Sequence, residues 1–215
     1  MTKIDFSEYE RKHSLEPPGS GMLILIQKIH RSEDEKMNRT QTKQMILASF
    51  FLALGIILPY LTGNIAILGS RFLPMHLPVL LCGIICGRKY GLIVGLITPL
   101  LRAILVGMPP LFPIALVMSL ELAAYGFFIG LFYKVLPKKF LYLIVSLVLS
   151  MIVGRMVWGF AAYMIYPLAG FPFNLEFFIA GAFVDAIPGI IFQLIFIPVF
   201  LQSLIRTQTI PNFEQ

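Results

Sequence analysis

Charge is scarce in this sequence: only 13% of its 215 residues are charged, against 58% hydrophobic. Water-soluble domains carry roughly 25% charged residues to keep their surfaces wetted, so a soluble globular domain is excluded. The mean hydropathy of +0.84 makes the same point. Cysteine is nearly absent. Cys82 and Cys86 are the two present, four apart in one apolar run, so they share a helix face as packing residues and offer no disulfide framework. No His or carboxylate stands near them to complete a metal site, and no metal is expected. Only His76 of the three histidines falls within the apolar part of the chain. Nucleotide loops of the G-x-x-x-x-G-K-[ST] type, H-E-x-x-H helices and G-x-S-x-G elbows are all missing, so the chain has no ATPase site of its own and no recognisable hydrolase centre. No cofactor bound by this chain is expected.

What is present is a succession of apolar runs. A run of roughly 17 to 25 residues crosses a hydrocarbon core of roughly 30 Å as a helix. Runs against punctuation predict helices at about 44–61, 76–87, 90–106, 112–133, 140–165 and 177–204. The expected fold class is an all-α integral membrane protein, a six-transmembrane-helix bundle with N- and C-termini cytoplasmic. The second and third helices are short, and five crossings are the topological rival. Residues 1–36 read as a mobile cytosolic extension, 37–206 as the membrane domain and 207–215 as a cytosolic tail. Met37 opens the basic stretch MNRTQTKQ, an ordinary lead-in to a first membrane helix, and is read as an alternative start of the chain.

The net charge of +6 sits in short clusters between apolar runs, which sets topology and gives no reason to expect nucleic acid. Arg39, Lys43, Arg88, Lys89, Lys134, Lys138, Lys139 and Arg206 fall on one side, which is therefore cytoplasmic; Arg71 stands alone on the other. The outer face is built from Thr62 to Met75, the Gly107 to Leu111 corner with Pro109 and Pro110, and Tyr166 to Glu176, segments rich in Gly, Pro and aromatics. Glycine pairs four apart, Gly83 with Gly87, Gly91 with Gly95 and Gly126 with Gly130, predict close helix packing in lipid.

Four ionisable residues interrupt the later crossings: Arg102, Glu121, Arg155 and Asp185. Each is costly in hydrocarbon unless paired or facing a polar cavity. At roughly 1.5 Å of rise per residue, all four lie in the outer half, at depths of roughly 6 to 15 Å. One residue from each of four helices at similar depth is what a walled pocket needs, and two positive with two negative groups suit a neutral or zwitterionic small polar molecule. The alternative is that the four merely pair to hold the bundle together. Trp158, three residues beyond Arg155 on the same face, Tyr125, Tyr163, Asn174 and His76, set between Pro74 and Pro78, are the candidates for stacking and hydrogen bonds around that pocket. Tyr163 and Tyr166 serve equally well as interfacial anchors.

The run from Gly69 to Tyr133 carries LPMHLPVLLCG, PLLR ending in Arg102, the GMPP corner and ELAAYG beginning at Glu121. It resembles the substrate-binding S components of energy-coupling factor transporters, and the likeness extends more loosely over Met37 to Arg206. For this chain the resemblance implies a six-helix subunit of a bacterial cytoplasmic (inner) membrane importer. Such a subunit binds a water-soluble vitamin or precursor from outside, with loops closing over it. The implied partners are a transmembrane T (scaffold) subunit and two cytosolic ATPase subunits, which use the ATP. Family members dock on the scaffold through Ala-x-x-x-Ala on the first helix; here Ala48 and Ala53 are five apart and Ser49 with Ala53 is the spacing-correct pair.

Two other classes compete. A stand-alone secondary carrier would couple to protons through Glu121 or Asp185, but no internal inverted repeat is evident. An intramembrane enzyme would need a nucleophile and base at matching depth, which the helices do not offer. As ligands, a hydroxymethylpyrimidine or pyridoxine-like heterocycle fits the balanced charges first, and pantothenate next, with its carboxylate on Arg102 or Arg155.

Overall fold

The computed structural model describes residues 20–61, 73–137 and 139–206. The chain divides into two units, Met1–Lys43 and Gln44–Gln215. Helix α1, Ser20–Leu61, contributes to both. No Gly or Pro interrupts the sequence between Gly21 and Gly55, so nothing stops the helix, and it begins well before the expected residue 44. In the first unit the described part of α1 carries Lys28, Arg31 and Arg39 on exposed positions. Expectations for residues 1–19, 62–72 and 207–215, including most of the first outer loop, lie outside the described residues.

The second unit is all helix among its described residues. It holds the remainder of α1, then α2 (His76–Cys86), α3 (Arg88–Val106), α4 (Leu116–Val135), α5 (Phe140–Ile165), α6 (Leu175–Ile179) and α7 (Ile187–Arg206). Five segments are long and apolar enough to cross a membrane: Arg39–Tyr60, Arg88–Val106, Leu111–Val135, Phe140–Ile165 and Ile187–Leu204. α2 is the exception. Its 11 residues rise about 16 Å, half a hydrocarbon core, and ten of them are buried, so it lies enclosed by the other helices.

Punctuation explains the ends. Gly87 alone joins α2 to α3, at φ 89° and ψ 171°, a conformation open to glycine and strained for any other residue. It is therefore a turn residue, and the expected pairing of Gly83 with Gly87 on one packing face does not form. α3 stops at Gly107 in the left-handed region, whose N–H donates to the Ala103 carbonyl at 2.9 Å. A π turn, Leu111–Ala115, leads into α4. The expected last crossing is broken: α6, a π turn over Ala180–Val184 and a turn at Asp185 and Ala186 precede α7. Pro188 accounts for the break, because it has no N–H to return to Val184 and its ring crowds that carbonyl.

The other glycines form a seam. A Cβ on Gly91 or on Gly126 would run into the backbone of the other, one on Gly95 would strike the Leu122 backbone, and one on Gly130 would come 2.6 Å from the backbone nitrogen of Arg88. α3 and α4 are thus in backbone contact, as small residues allow in lipid. Around this pair Val79, Leu80, Cys82, Leu122, Tyr125, Ile129, Leu143, Leu147, Ile197 and Leu201 make the main core. A second, smaller cluster, Val117, Trp158, Ala161, Ala162 and Tyr166 with Phe173 and Phe178 against it, lies toward the start of α4 and the end of α5.

Candidate functional site

α4 and α5 bring opposite charges together inside the bundle. Glu121 is 2% and Arg155 5% exposed, and the Arg155 Nη1 donates to Glu121 Oε1 at 2.8 Å. The local reason is packing. Gly154, just before Arg155, lets α5 close on the Tyr125 ring, since a Cβ there would come 2.9 Å from it. Val117, Glu121 and Tyr125 are spaced by four and therefore stack along one face of α4.

His76 is the third member. Leu73, at φ 50°, and Pro74 turn the chain so that the His76 N–H donates to the Leu73 carbonyl at 3.0 Å, and His76 becomes the first residue of α2. A left-handed leucine costs about 1–2 kcal/mol, which the surrounding core must offset. The imidazole stands edge-on to Tyr125, with ring centroids 5.1 Å apart. Its Nε2 lies 3.6 Å from Glu121 Oε1, beyond a hydrogen bond.

The polar group is left incomplete. His76 Nδ1 and Nε2 and Arg155 Nε and Nη2 are buried with no hydrogen-bond partner among the described residues. Each such atom costs about 1–3 kcal/mol. A buried pair that served the scaffold alone would be expected to have its donors satisfied.

One turn from the pair the wall becomes aromatic. Trp158 follows Arg155 by three residues on α5, stacks on Phe178 at 6.0 Å and meets Phe173 edge-on at 6.2 Å. A Cβ on Gly181 would come 3.1 Å from the Trp158 ring. Tyr166, just past the end of α5, packs in this cluster, and its phenol is pushed above its ordinary range by burial and by the negative charge of Glu121. Val117, a member of this cluster, lies one helical turn before Glu121 on α4.

The other expected site residues lie elsewhere. Arg102 is buried but turns to α1: its Nη1 donates to the Ile56 carbonyl at 2.7 Å and its guanidinium lies 5.2 Å from the Tyr60 ring centroid. Pro59 explains this, because it leaves the Gly55 carbonyl without its helical donor and loosens the last turns of α1, and Arg102 braces the adjacent carbonyl. Asp185 occupies an exposed turn between the π turn and α7, with no ion-pair partner among the described residues. Asn174 is exposed and its side-chain oxygen accepts from the Phe177 N–H at 2.8 Å, capping α6. Tyr163 is 61% exposed, the position of an interfacial anchor, with an edge contact to Phe173. Of the docking candidates, Ser49 and Ala53 are exposed on α1, whereas Ala48 turns into the core and is no part of that face. Of the four charges, the described contacts join Glu121 with Arg155, and His76 stands beside that pair.

Sequence reasoning did not single out Phe173 and Phe178, which pack against Trp158, or the buried Gln193 on α7. Gln193 is 1% exposed on α7 with its Nε2 unpartnered among the described residues. A lone amide inside an apolar helix was the available signal for it. The two phenylalanines gave none, since aromatics are frequent throughout this chain.

The position of Arg102 carries a prediction. Arg102→Ala should lower the melting temperature of the detergent-purified protein, with a loss of about 1–3 kcal/mol for the bond to Ile56, and leave ligand capture unchanged. An Arg102→Ala protein that keeps its melting temperature but no longer retains ligand would return Arg102 to the site.

Comparisons with curated proteins and with solved structures returned no match. A family model described as ECF transporter, substrate-specific component, matches residues 43–208, which is most of the chain and includes α2 to α7 with the Glu121–Arg155 pair. This is a membrane protein of transport and substrate binding, and it belongs to the family of substrate-specific components of ECF transporters.

Proposed function

We propose that this chain captures a water-soluble vitamin or vitamin precursor at His76, Glu121 and Arg155, beneath the Trp158 cluster. The ligand is taken from outside a bacterial cytoplasmic membrane for ATP-driven uptake. One observation carries the reading: four buried nitrogens of His76 and Arg155 wait without partners around a carboxylate. Buried polar groups of a finished core are almost always satisfied, so an unsatisfied cluster is best explained by a ligand that completes it. Tyr125 meets the histidine edge-on, and Trp158 stands one helical turn beyond Arg155 with its ring stacked on Phe178. Hydroxymethylpyrimidine, pyridoxine-like compounds and pantothenate are the candidate ligands.

The membrane arrangement that goes with this reading has six crossings, α2 being a short one, and both termini in the cytoplasm, where Arg88, Lys89, Lys134 and Lys139 also lie. The T subunit and two ATPase subunits supply the energy, since the sequence has no nucleotide loop. Ser49 and Ala53 on the exposed face of α1 are the docking candidates.

Native mass spectrometry of the detergent-purified full chain tests the capture step. A single unmodified small molecule should stay bound, and Glu121→Ala should weaken its binding by about 2–4 kcal/mol. Unaltered retention by Glu121→Ala would remove the site. Uptake into proteoliposomes should require the T and ATPase subunits; uptake by this chain alone would make it a secondary carrier.

A further inference from the structure

The membrane part of α1 is apolar on every side. Ala48, Phe51, Gly55 and Pro59 are buried along one stripe, while Ile46, Ser49, Phe50, Ala53 and Ile57 are exposed along the other. Ser49 returns its hydroxyl to the Met45 carbonyl at 3.0 Å, so the bare stripe calls for no polar partner. In water an apolar stripe would fix how such a helix is turned about its axis. Lipid supplies no such force, because hydrocarbon is as good a neighbour as another apolar side chain. The rotation of α1 has to come from specific contacts, and α1 is the least enclosed of the five long apolar segments.

Two of these contacts come from successive turns of α3. Thr98 donates its hydroxyl to the Val94 carbonyl at 2.6 Å, and its methyl stands where a Cβ on Gly55 would come within 2.6 Å. One turn on, Arg102 donates from Nη1 to the Ile56 carbonyl at 2.7 Å and sets its guanidinium 5.2 Å from the Tyr60 ring centroid. The first contact is a notch that a missing side chain leaves open. The second is a charge-assisted bond to a backbone atom, which no side-chain rotation on α1 can follow. Adjacent residues of α1 are thus held in two different ways, and the helix can neither roll nor slide. Gly55 lies two residues, about 200°, beyond Ala53, so seating Gly55 on Thr98 turns Ala53 away from α3.

We infer that Thr98 and Arg102 are positioning residues for partner capture: their grip on Gly55 and Ile56 sets the azimuth of α1 and presents the Ser49–Ala53 stripe to the T subunit. The inference rests on the reading of that stripe as the docking face, and adds what aims it. A partner that meets α1 already turned need not hold it in that rotation, which is the gain of preorganisation. His76, Glu121 and Arg155 stand on α2, α4 and α5, so loosening the grip leaves ligand capture alone.

The test measures capture of the full chain, in lipid nanodiscs, by the T and ATPase subunits of the same transporter, beside retention of the co-purified small molecule by native mass spectrometry. Arg102→Ala should be captured about 10- to 150-fold more weakly, the worth of a hydrogen bond to a charged group, while retaining ligand as the wild type does. Gly55→Ala should also weaken capture, because its Cβ meets the Thr98 methyl; adding Thr98→Ser, which removes that methyl, should restore it. The Gly55 series stands even where Arg102→Ala fails to fold. A nitroxide scan of residues 46–57 reads the azimuth directly. Oxygen accessibility should peak at Ile46, Ser49, Phe50, Ala53 and Ile57 in the wild type and lose that phase in Gly55→Ala. An unchanged phase, or wild-type capture of Arg102→Ala and Gly55→Ala, overturns the inference. Should Ala53→Leu lose capture while those two variants keep it, the docking reading survives and only the positioning role falls. Should all three be captured like the wild type, or the wild type not be captured at all, both fall.

Discussion

Arg155→Ala should abolish ligand capture and destabilise the bundle by about 3–5 kcal/mol, the cost of leaving a buried partner charge uncompensated. Glu121 is 2% exposed, its bond to Arg155 is the one full hydrogen bond described for its carboxylate, and His76 is too distant to replace it. Loss of stability by itself does not separate a binding site from a strut, so a second variant is needed. In Glu121→Leu/Arg155→Met both charges are removed together and their volume is kept. Buried pairs replaced in this way are commonly neutral or gain about 1–4 kcal/mol. The double variant should therefore melt near or above the wild type and still retain no ligand by native mass spectrometry. Retention of ligand by the stable double variant would make the pair a strut.

Gly126→Ala should break the contact between α3 and α4. Its new Cβ would run into the carbonyl and Cα of Gly91, which are backbone atoms that cannot rotate aside as a side chain does. Overpacking of a core commonly costs about 1–3 kcal/mol where neighbours can shift, and this seam allows little shift, so the upper end of that range or beyond is expected. The site suffers with the fold, because Glu121 and Tyr125 precede Gly126 on the same helix and are aimed by its packing. Leu120→Ala is the control: Leu120 is 39% exposed on α4, in a lipid-facing setting, and its truncation should leave the melting temperature within a few degrees of the wild type. Equal melting temperatures for Gly126→Ala and the wild type would show that the helices can part without loss.

Much of the architecture was legible in the apolar runs, because a membrane span must satisfy its backbone internally and so announces itself as a long helix of apolar residues. The predicted helices at 90–106, 112–133 and 140–165 correspond closely to α3, α4 and α5. The start of α1 and the break before α7 were less legible. Residues 22–43 contain no Gly or Pro, so the helix runs on through them, although beyond Met22 to Ile26 they are mostly polar and residues 1–36 read as a mobile extension. At the other end, the apolar run predicts one helix over 177–204, and the chain breaks just ahead of Pro188 within it.

The site divides along a physical line. Position along a helix follows from counting residues at a fixed rise: Arg102, Glu121 and Arg155 are buried within α3, α4 and α5, whereas Asp185 stands in an exposed turn ahead of α7. Direction around the helix axis does not follow. Each residue advances by about 100°, and which side faces a neighbour depends on how helices pack. Glycine contact between α3 and α4, and Gly154 against Tyr125, turn Glu121 and Arg155 toward each other, while Pro59 draws Arg102 to α1. The sequence by itself determined that this is a membrane protein, where most of its long apolar helices run, and that Arg102, Glu121 and Arg155 lie within them. Only the tertiary structure decided which of those charges meet, because azimuth is settled by side chains on other helices, far away along the chain.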